Sequence, residues 1–172
     1  SSAIYGYGIA AYNGRLYLDN CTFVSNGVPV DISQYVGGKS YCPYGSALYA
    51  SATTLNAVGC KFIRNRGFAG KGYNNEVRGG GCVYVSAAKS GVIKTASIRN
   101  CEFTANEDIS NSYGIGSVLG GLSIAGGANS TNEVVNCTFA YNISDGTAAA
   151  AGLTISSGLT VVSNSVFYGN KL

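Results

Sequence analysis

The chain has 172 residues and a net charge of +3, with 11% charged and 46% hydrophobic side chains, 25 Gly, 13 Tyr, 6 Cys and no His, Met or Trp. The lack of His excludes Ser-His-Asp and Cys-His catalysis and every His-ligated metal site. The small charge points to neither nucleic acid nor a membrane surface, and no apolar run reaches the roughly 20 residues of a membrane span.

From the N-terminus, a small-residue strand, GIAAY (8–12), leads to Leu18, Asn20, Cys21, Phe23 and Asn26. The same order of signals then returns four times. GSALY (45–49) leads to Ala57, Gly59, Cys60, Phe62 and Asn65, and GGCVY (80–84) to Ile98, Asn100, Cys101, Phe103 and Asn106. GGLSI (120–124) leads to Val134, Asn136, Cys137, Phe139 and Asn142, and AGLTI (151–155) to Val162, Asn164, Ser165, Phe167 and Asn170. The Phe-to-Phe spacing is 39, 41, 36 and 28 residues, so core positions recur while the loops vary in length. Such a period is the mark of a stacked repeat.

Parity within the unit predicts its shape. Phe and the residue two before it share one strand face. The apolar residue five before Phe would face the other way unless the chain bends between them. The residue at that bend is always Asn or Gly, the types that most readily take a left-handed corner. Each unit therefore reads as strand, loop, strand, corner, strand and a second Asn-marked turn. Three short strands per coil with apolar inward positions predict an all-β parallel β-helix, a solenoid of about five coils. The expected coils cover residues 1–26, 27–65, 66–106, 107–142 and 143–172 of one domain.

The alternation of GG-x-x-apolar strands with C-x-F-x-x-N units resembles the repeats of polymorphic outer-membrane proteins and related adhesin passengers. That resemblance covers nearly the whole chain. It implies a single-stranded, right-handed β-helix of the pectate-lyase-like group, outside the cell or on its surface. The fold carries lyases, adhesins and fibres alike, so function has to come from the residues. Polysaccharide hydrolases of this fold depend on clustered aspartates and a His, and neither is present.

The Phe column (Phe23, Phe62, Phe103, Phe139, Phe167) is expected to stack in the core, with Tyr12, Tyr49 and Tyr84, then Ile124 and Ile155, as a second inward column. Both Asn sets are expected to form amide ladders between coils. Cys21, Cys60, Cys101 and Cys137 occupy one inward position, with neighbours ~4.8 Å apart, a spacing that disulfides accept. Cys21–Cys60 with Cys101–Cys137 is one solution, and Cys42–Cys82 then ties a loop to a strand. The other reading is a reduced column acting as small core hydrophobes. With no C-x-x-C, no metal site is expected, and no cofactor is expected.

Four sequons, at Asn20, Asn129, Asn136 and Asn142, are about what chance provides. Asn129, in a loop without a repeat role, is the first choice for a glycan. The acidic residues scatter over sides and coils, and Glu107–Asp108, the one adjacent pair, is placed in a variable loop. A Ca²⁺-dependent lyase would need converging acids and a base, so no enzyme is expected. Tyr35, Tyr41, Tyr44, Tyr73 and Tyr113 fall in loops between the Asn turns and the next Gly-rich strands. They are candidates for a contact surface toward a surface protein or a glycan.

Neither end carries a recognisable cap, so both are expected to be open. Joining Leu172 to the next copy's Ser1 places Tyr12 14 residues after Asn170, against 13 from Asn142 to Ile155. The chain therefore reads as a building block that stacks head to tail on copies of itself, or as an excerpt that stacks on neighbouring coils of a longer adhesin-type passenger. Tyr35→Ala combined with Tyr73→Ala is expected to weaken binding of the chain to its target surface, measured by a plate or bead adhesion assay. Unchanged binding removes the contact role.

Overall fold

The computed structural model describes residues 8–27, 45–71, 77–78, 82–86, 94–110, 120–127, 129–144 and 150–172. These form strands, turns and bends, with no helix among the described residues. In the first circuit the strands are β1 (Ile9–Tyr12), β2 (Arg15–Asp19) and β3 (Thr22–Val24). The second has β4 (Leu48–Ser51), β5 (Thr54–Val58), β6 (Lys61–Ile63), β7 (Arg66–Lys71) and β8 (Val77–Arg78). The third has β9 (Val83–Ser86), β10 (Ala96–Arg99), β11 (Glu102–Thr104) and β12 (Glu107–Ser110). The fourth has β13 (Leu122–Ala125), β14 (Thr131–Val135), β15 (Thr138–Ala140) and β16 (Ile143–Ser144), and the last β17 (Leu153–Ser157), β18 (Leu159–Ser163) and β19 (Val166–Tyr168).

The chain visits the sheets in rotation. One five-stranded sheet runs β1-β4-β9-β13-β17, a second β2-β5-β10-β14-β18 and a third β3-β6-β11-β15-β19. Every pairing in these three is parallel. A fourth sheet, β16-β12-β7-β8, follows the Asn turn and was not expected from the repeat. Its β7–β8 pair is antiparallel. The expected three strands per unit thus become four where the chain stays extended past the turn, and Glu107–Asp108 lie in β12 rather than in a loop.

Register aligns the repeated side chains. Leu18, Ala57, Ile98, Val134 and Val162 are successive partners in the second sheet. Phe23, Phe62, Phe103, Phe139 and Phe167 are successive partners in the third. Ring centroids follow one another at 4.9, 4.9, 4.7 and 4.7 Å with interplanar angles of 11° or less. That spacing is the strand spacing, so the backbone ladder imposes the stack. Each pair contributes roughly 0.5–1.5 kcal/mol beyond area burial.

The tyrosines depart from expectation. Tyr49 pairs with Tyr84, but Tyr84 pairs with Ser123, and Tyr12 pairs with Ser51. The inward column is instead Ala11, Ala50, Val85, Ile124 and Ile155, beside Ile9, Leu48, Val83, Leu122 and Leu153. Tyr12 is 50% exposed and meets Tyr49 edge-on at 5.5 Å. Alignment by Gly is two residues out between the first and second circuits, which keeps the face, and one residue out between the third and fourth, which sets Tyr12, Tyr49 and Tyr84 on the face opposite Ile124 and Ile155.

Two left-handed positions recur in every circuit, and Asn13, Ala52 and Gly158 add a third between the first and second strands of the first, second and last circuits. Asn20, Gly59, Asn100, Asn136 and Asn164 have φ between 48° and 64°, as the corner pattern predicts. A second set, Ser25, Arg64, Ala105, Tyr141 and Gly169, has φ between 53° and 61° and no shared chemistry. These sit immediately before the turn Asn, and for a non-Gly residue cost roughly 1–2 kcal/mol each. The turn Asn supplies the compensation. Asn106 Nδ2 donates to Phe62 O at 2.9 Å and to Asn142 Oδ1 at 3.0 Å. Its Oδ1 accepts from Asn65 N–H at 2.9 Å and Asn65 Nδ2 at 3.0 Å. The same pattern links Asn26 to Asn65, and Asn142 to Asn170. At the corner only Asn136 reaches a neighbouring amide, donating to Asn100 Oδ1 at 3.2 Å, while Asn20 donates to Asp19 and Gly59 interrupts the set. One continuous amide ladder exists, not two, because the corner faces water, which can satisfy an amide as well as a neighbour can.

Asn106→Ala is expected to lower unfolding free energy by about 3 kcal/mol, since it strands the buried Asn65 N–H and the Phe62 carbonyl. Asn136→Ala, on the exposed corner, costs under about 1 kcal/mol. Urea denaturation of the two variants checks the contrast.

Candidate functional site

The inward columns end on an apolar face in the last circuit. Ile124, Val134 and Phe139 are 0% exposed, whereas their register partners Ile155, Val162 and Phe167 are 41%, 40% and 45% exposed. Leu159 and Val161 on the same edge strand are also exposed. At the other end Leu18 and Phe23 are buried, at 6% and 9%. Gly8 contributes to the covering of Phe23: a Cβ there would lie 3.4 Å from the ring.

The amide ladder runs with a direction. Each rung donates its N–H and one Nδ2 hydrogen to the next rung's Oδ1, and its other Nδ2 hydrogen to the preceding Phe carbonyl. Asn170, the last rung, donates to Phe139 O at 2.8 Å, but no further amide follows it among the described residues. Asn26, the first, donates its N–H and Nδ2 to Asn65 Oδ1. No described residue donates to Asn26 Oδ1. The open end thus carries apolar surface and unused N–H donors, and the opposite end an unused acceptor.

The cysteine column is present and consists of thiols. Cys21, Cys60, Cys82, Cys101 and Cys137 are unbridged, while Cys42 lies outside the described residues. Each column thiol points at the carbonyl two residues before it: Asp19 O at 3.5 Å, Val58 O at 3.4 Å, Arg99 O at 3.2 Å and Val135 O at 3.3 Å. The corner supplies that carbonyl, so a thiol satisfies the bend locally. Ser165 takes the position in the last circuit, with Oγ 2.9 Å from Ser163 O. Cys82 stands apart and accepts from Asn65 Nδ2 at 3.4 Å. Burial pushes the Cys82 and Cys60 thiols up, and Cys101 is pushed up by its hydrogen bond to Cys137 and by burial.

The remaining candidates divide by position. Asn129 is exposed in a turn, and Asn20 and Asn136 are exposed at corners. Asn142 is 0% exposed and its amide is consumed by the ladder. A glycan there requires the turn to open. Tyr35, Tyr41, Tyr44, Tyr73 and Tyr113 lie outside the described residues. Glu107 pairs with Arg66 at 2.8 Å and Glu133 with Arg99 in a two-pronged contact. The Arg99 and Ser97 hydrogen bonds hold the Glu133 carboxyl below the usual range. Among the described residues no group of three or more Cys, Asp or Glu gathers as a metal would require. Also among them, no helix is long and apolar enough to cross a membrane.

Asn132 is a buried polar residue that the sequence reading missed. Its Oδ1 accepts from Ala96 N–H at 3.0 Å and its Nδ2 faces Ser130 Oγ and Thr160 Oγ1 at 3.4 Å. It replaces an apolar residue in the column of Leu16, Leu55 and Ala96. No repeated signal marks it, because it occurs in a single circuit.

The chain matches no protein-family model, no curated protein and no solved structure.

Raised thiols favour the folded state below the ordinary thiol value and lose that contribution as pH climbs. Above about 8.5 the unfolded chain releases thiol protons that the folded chain keeps. Folding stability is therefore expected to fall with pH above that value, and Cys82→Ala to flatten the fall, measured by chemical denaturation from pH 7 to 10.5. In the same range the native buried thiols stay unreactive to an aromatic disulfide reagent until urea is added.

Proposed function

We propose that the chain is a single-stranded, right-handed parallel β-helix that works as a non-enzymatic structural rod outside the cell, the building block of a fibre. Parallel sheets visited in strict rotation support the solenoid reading. The handedness follows from the strong right-handed preference of parallel crossovers. The extracellular placement rests on the resemblance of its repeats to passenger repeats. In favour of a scaffold rather than an enzyme, the repeated Phe, Asn and Cys positions are all accounted for by packing, turns and caps.

The observation that carries the fibre reading is the contrast between adjacent circuits. Side chains that are 0% exposed in the fourth circuit have register partners that are 40–45% exposed in the fifth. An edge that presents apolar columns and unpaired strand backbone is a template for another coil. A contact between unlike ends that does not close on itself builds a filament.

Negative-stain microscopy of the purified chain tests this. Rods whose length grows with concentration are expected, and single-chain particles at every concentration overturn it. Phe167→Asp, on the open face, is expected to abolish growth with the β circular-dichroism signal unchanged.

A further inference from the structure

Building on the fibre reading, we propose that the amide ladder sets the polarity of the junction: the open last coil receives the first coil of a second copy, head to tail, through Asn170 and Asn26. The groups left over at the two ends are complementary. Asn170 holds a backbone N–H and an Nδ2 hydrogen that every earlier rung gives to the next Oδ1. Asn26 holds the Oδ1 that every later rung uses to accept them. The carbonyl of Phe167 stands where Phe23, Phe62, Phe103 and Phe139 each accept an Nδ2 hydrogen from the rung one coil on. The second Nδ2 hydrogen of Asn26 supplies that bond.

One junction thus completes three hydrogen bonds of a kind already made four times inside the chain. It also continues the apolar columns, setting Phe167 against Phe23 and Val162 against Leu18. The alternative pairing, open end to open end about a two-fold axis, brings Asn170 donors against Asn170 donors. In that contact no ladder Oδ1 faces the Asn170 donors, and the Phe167 carbonyl is the one acceptor the ladder leaves free beside them, so fewer of the ladder's bonds form. The ladder therefore selects the unlike-end contact over the symmetric one. Because Leu18 and Phe23 are buried in the single chain, joining must first uncover them, which makes association slower than simple encounter.

The test uses two end-blocked variants of the full chain. Leu16→Lys places a charge on the inward face of the first coil, and Val162→Lys does the same on the last; inward charges on an edge oppose pairing. Retained circular dichroism and a cooperative melt establish that each is folded. Sedimentation velocity is expected to find either variant alone monomeric, and an equal mixture to form a discrete dimer joined at the two unblocked ends. Asn26→Leu, which removes the acceptor but keeps the apolar contact, is expected to weaken wild-type association by about ten-fold or more. Dimerisation of Leu16→Lys by itself overturns the polarity while leaving assembly standing. A wild-type chain that stays monomeric overturns both assembly and polarity. Asn26→Leu that assembles as the wild type does overturns the role of the ladder.

Discussion

The rest of the structure depends on the amide ladder from Asn26 through Asn65, Asn106 and Asn142 to Asn170. A bend between two strands of a stacked repeat leaves backbone groups that neither sheet can pair, and burying them unpaired is costly. Each turn Asn after Asn26 satisfies its neighbour's N–H and a Phe carbonyl at once. That allows Ser25, Arg64, Ala105 and Tyr141 to hold a left-handed backbone that their side chains do not favour. Since the same amides bond to the coil on either side, they also fix the vertical register. The Phe stack and the thiol column then fall into line without specificity of their own.

The ladder also explains why so little charge is needed. Amides, thiols and hydroxyls do most of the polar work in the interior, beside the buried carboxyl of Asp108, and the ion pairs Arg66–Glu107 and Arg99–Glu133 join adjacent coils. Arg99–Glu133 is the more exposed of the two, and an exposed pair contributes little, at most about 1 kcal/mol. Cohesion between coils therefore comes from apolar columns and amides, which repeat without limit. Unlike a symmetric sandwich, such a stack has two chemically different ends, and here they differ in covering as well: Leu18 and Phe23 are shielded, and Val162 and Phe167 are not.

Where sequence reading and structure diverge, the cause is geometric. Aligning GGCVY with GGLSI by their glycines sets Tyr84 beside Ile124, yet in space Tyr84 lies beside Ser123. Gly marks places where backbone passes closely, as at Gly121, where a Cβ would meet Gly152 O at 2.3 Å. It does not mark strand phase, and a one-residue error of phase exchanges the two faces. The second left-handed set was invisible for a related reason. Its residues are Ser, Arg, Ala, Tyr and Gly, and their conformation is imposed by the following Asn rather than by their own propensity. The corner asparagines misled in the opposite direction, since a shared residue type suggested a ladder where solvent does the same work.

By itself the sequence determined the period, the Phe column, the apolar column from Leu18 to Val162, the corner positions and the identity of the turn Asn. These are one-dimensional facts: they recur at matched positions, and elementary backbone parity is enough to orient them. Only the tertiary structure decided which face the tyrosines take, that a fourth sheet follows the Asn turn and that one end is shielded. It alone also made the amide ladder run with a direction. Those depend on the offset between neighbouring coils, and that offset is set where five strands hydrogen-bond side by side. No single repeat contains that information, because no single repeat has a neighbour.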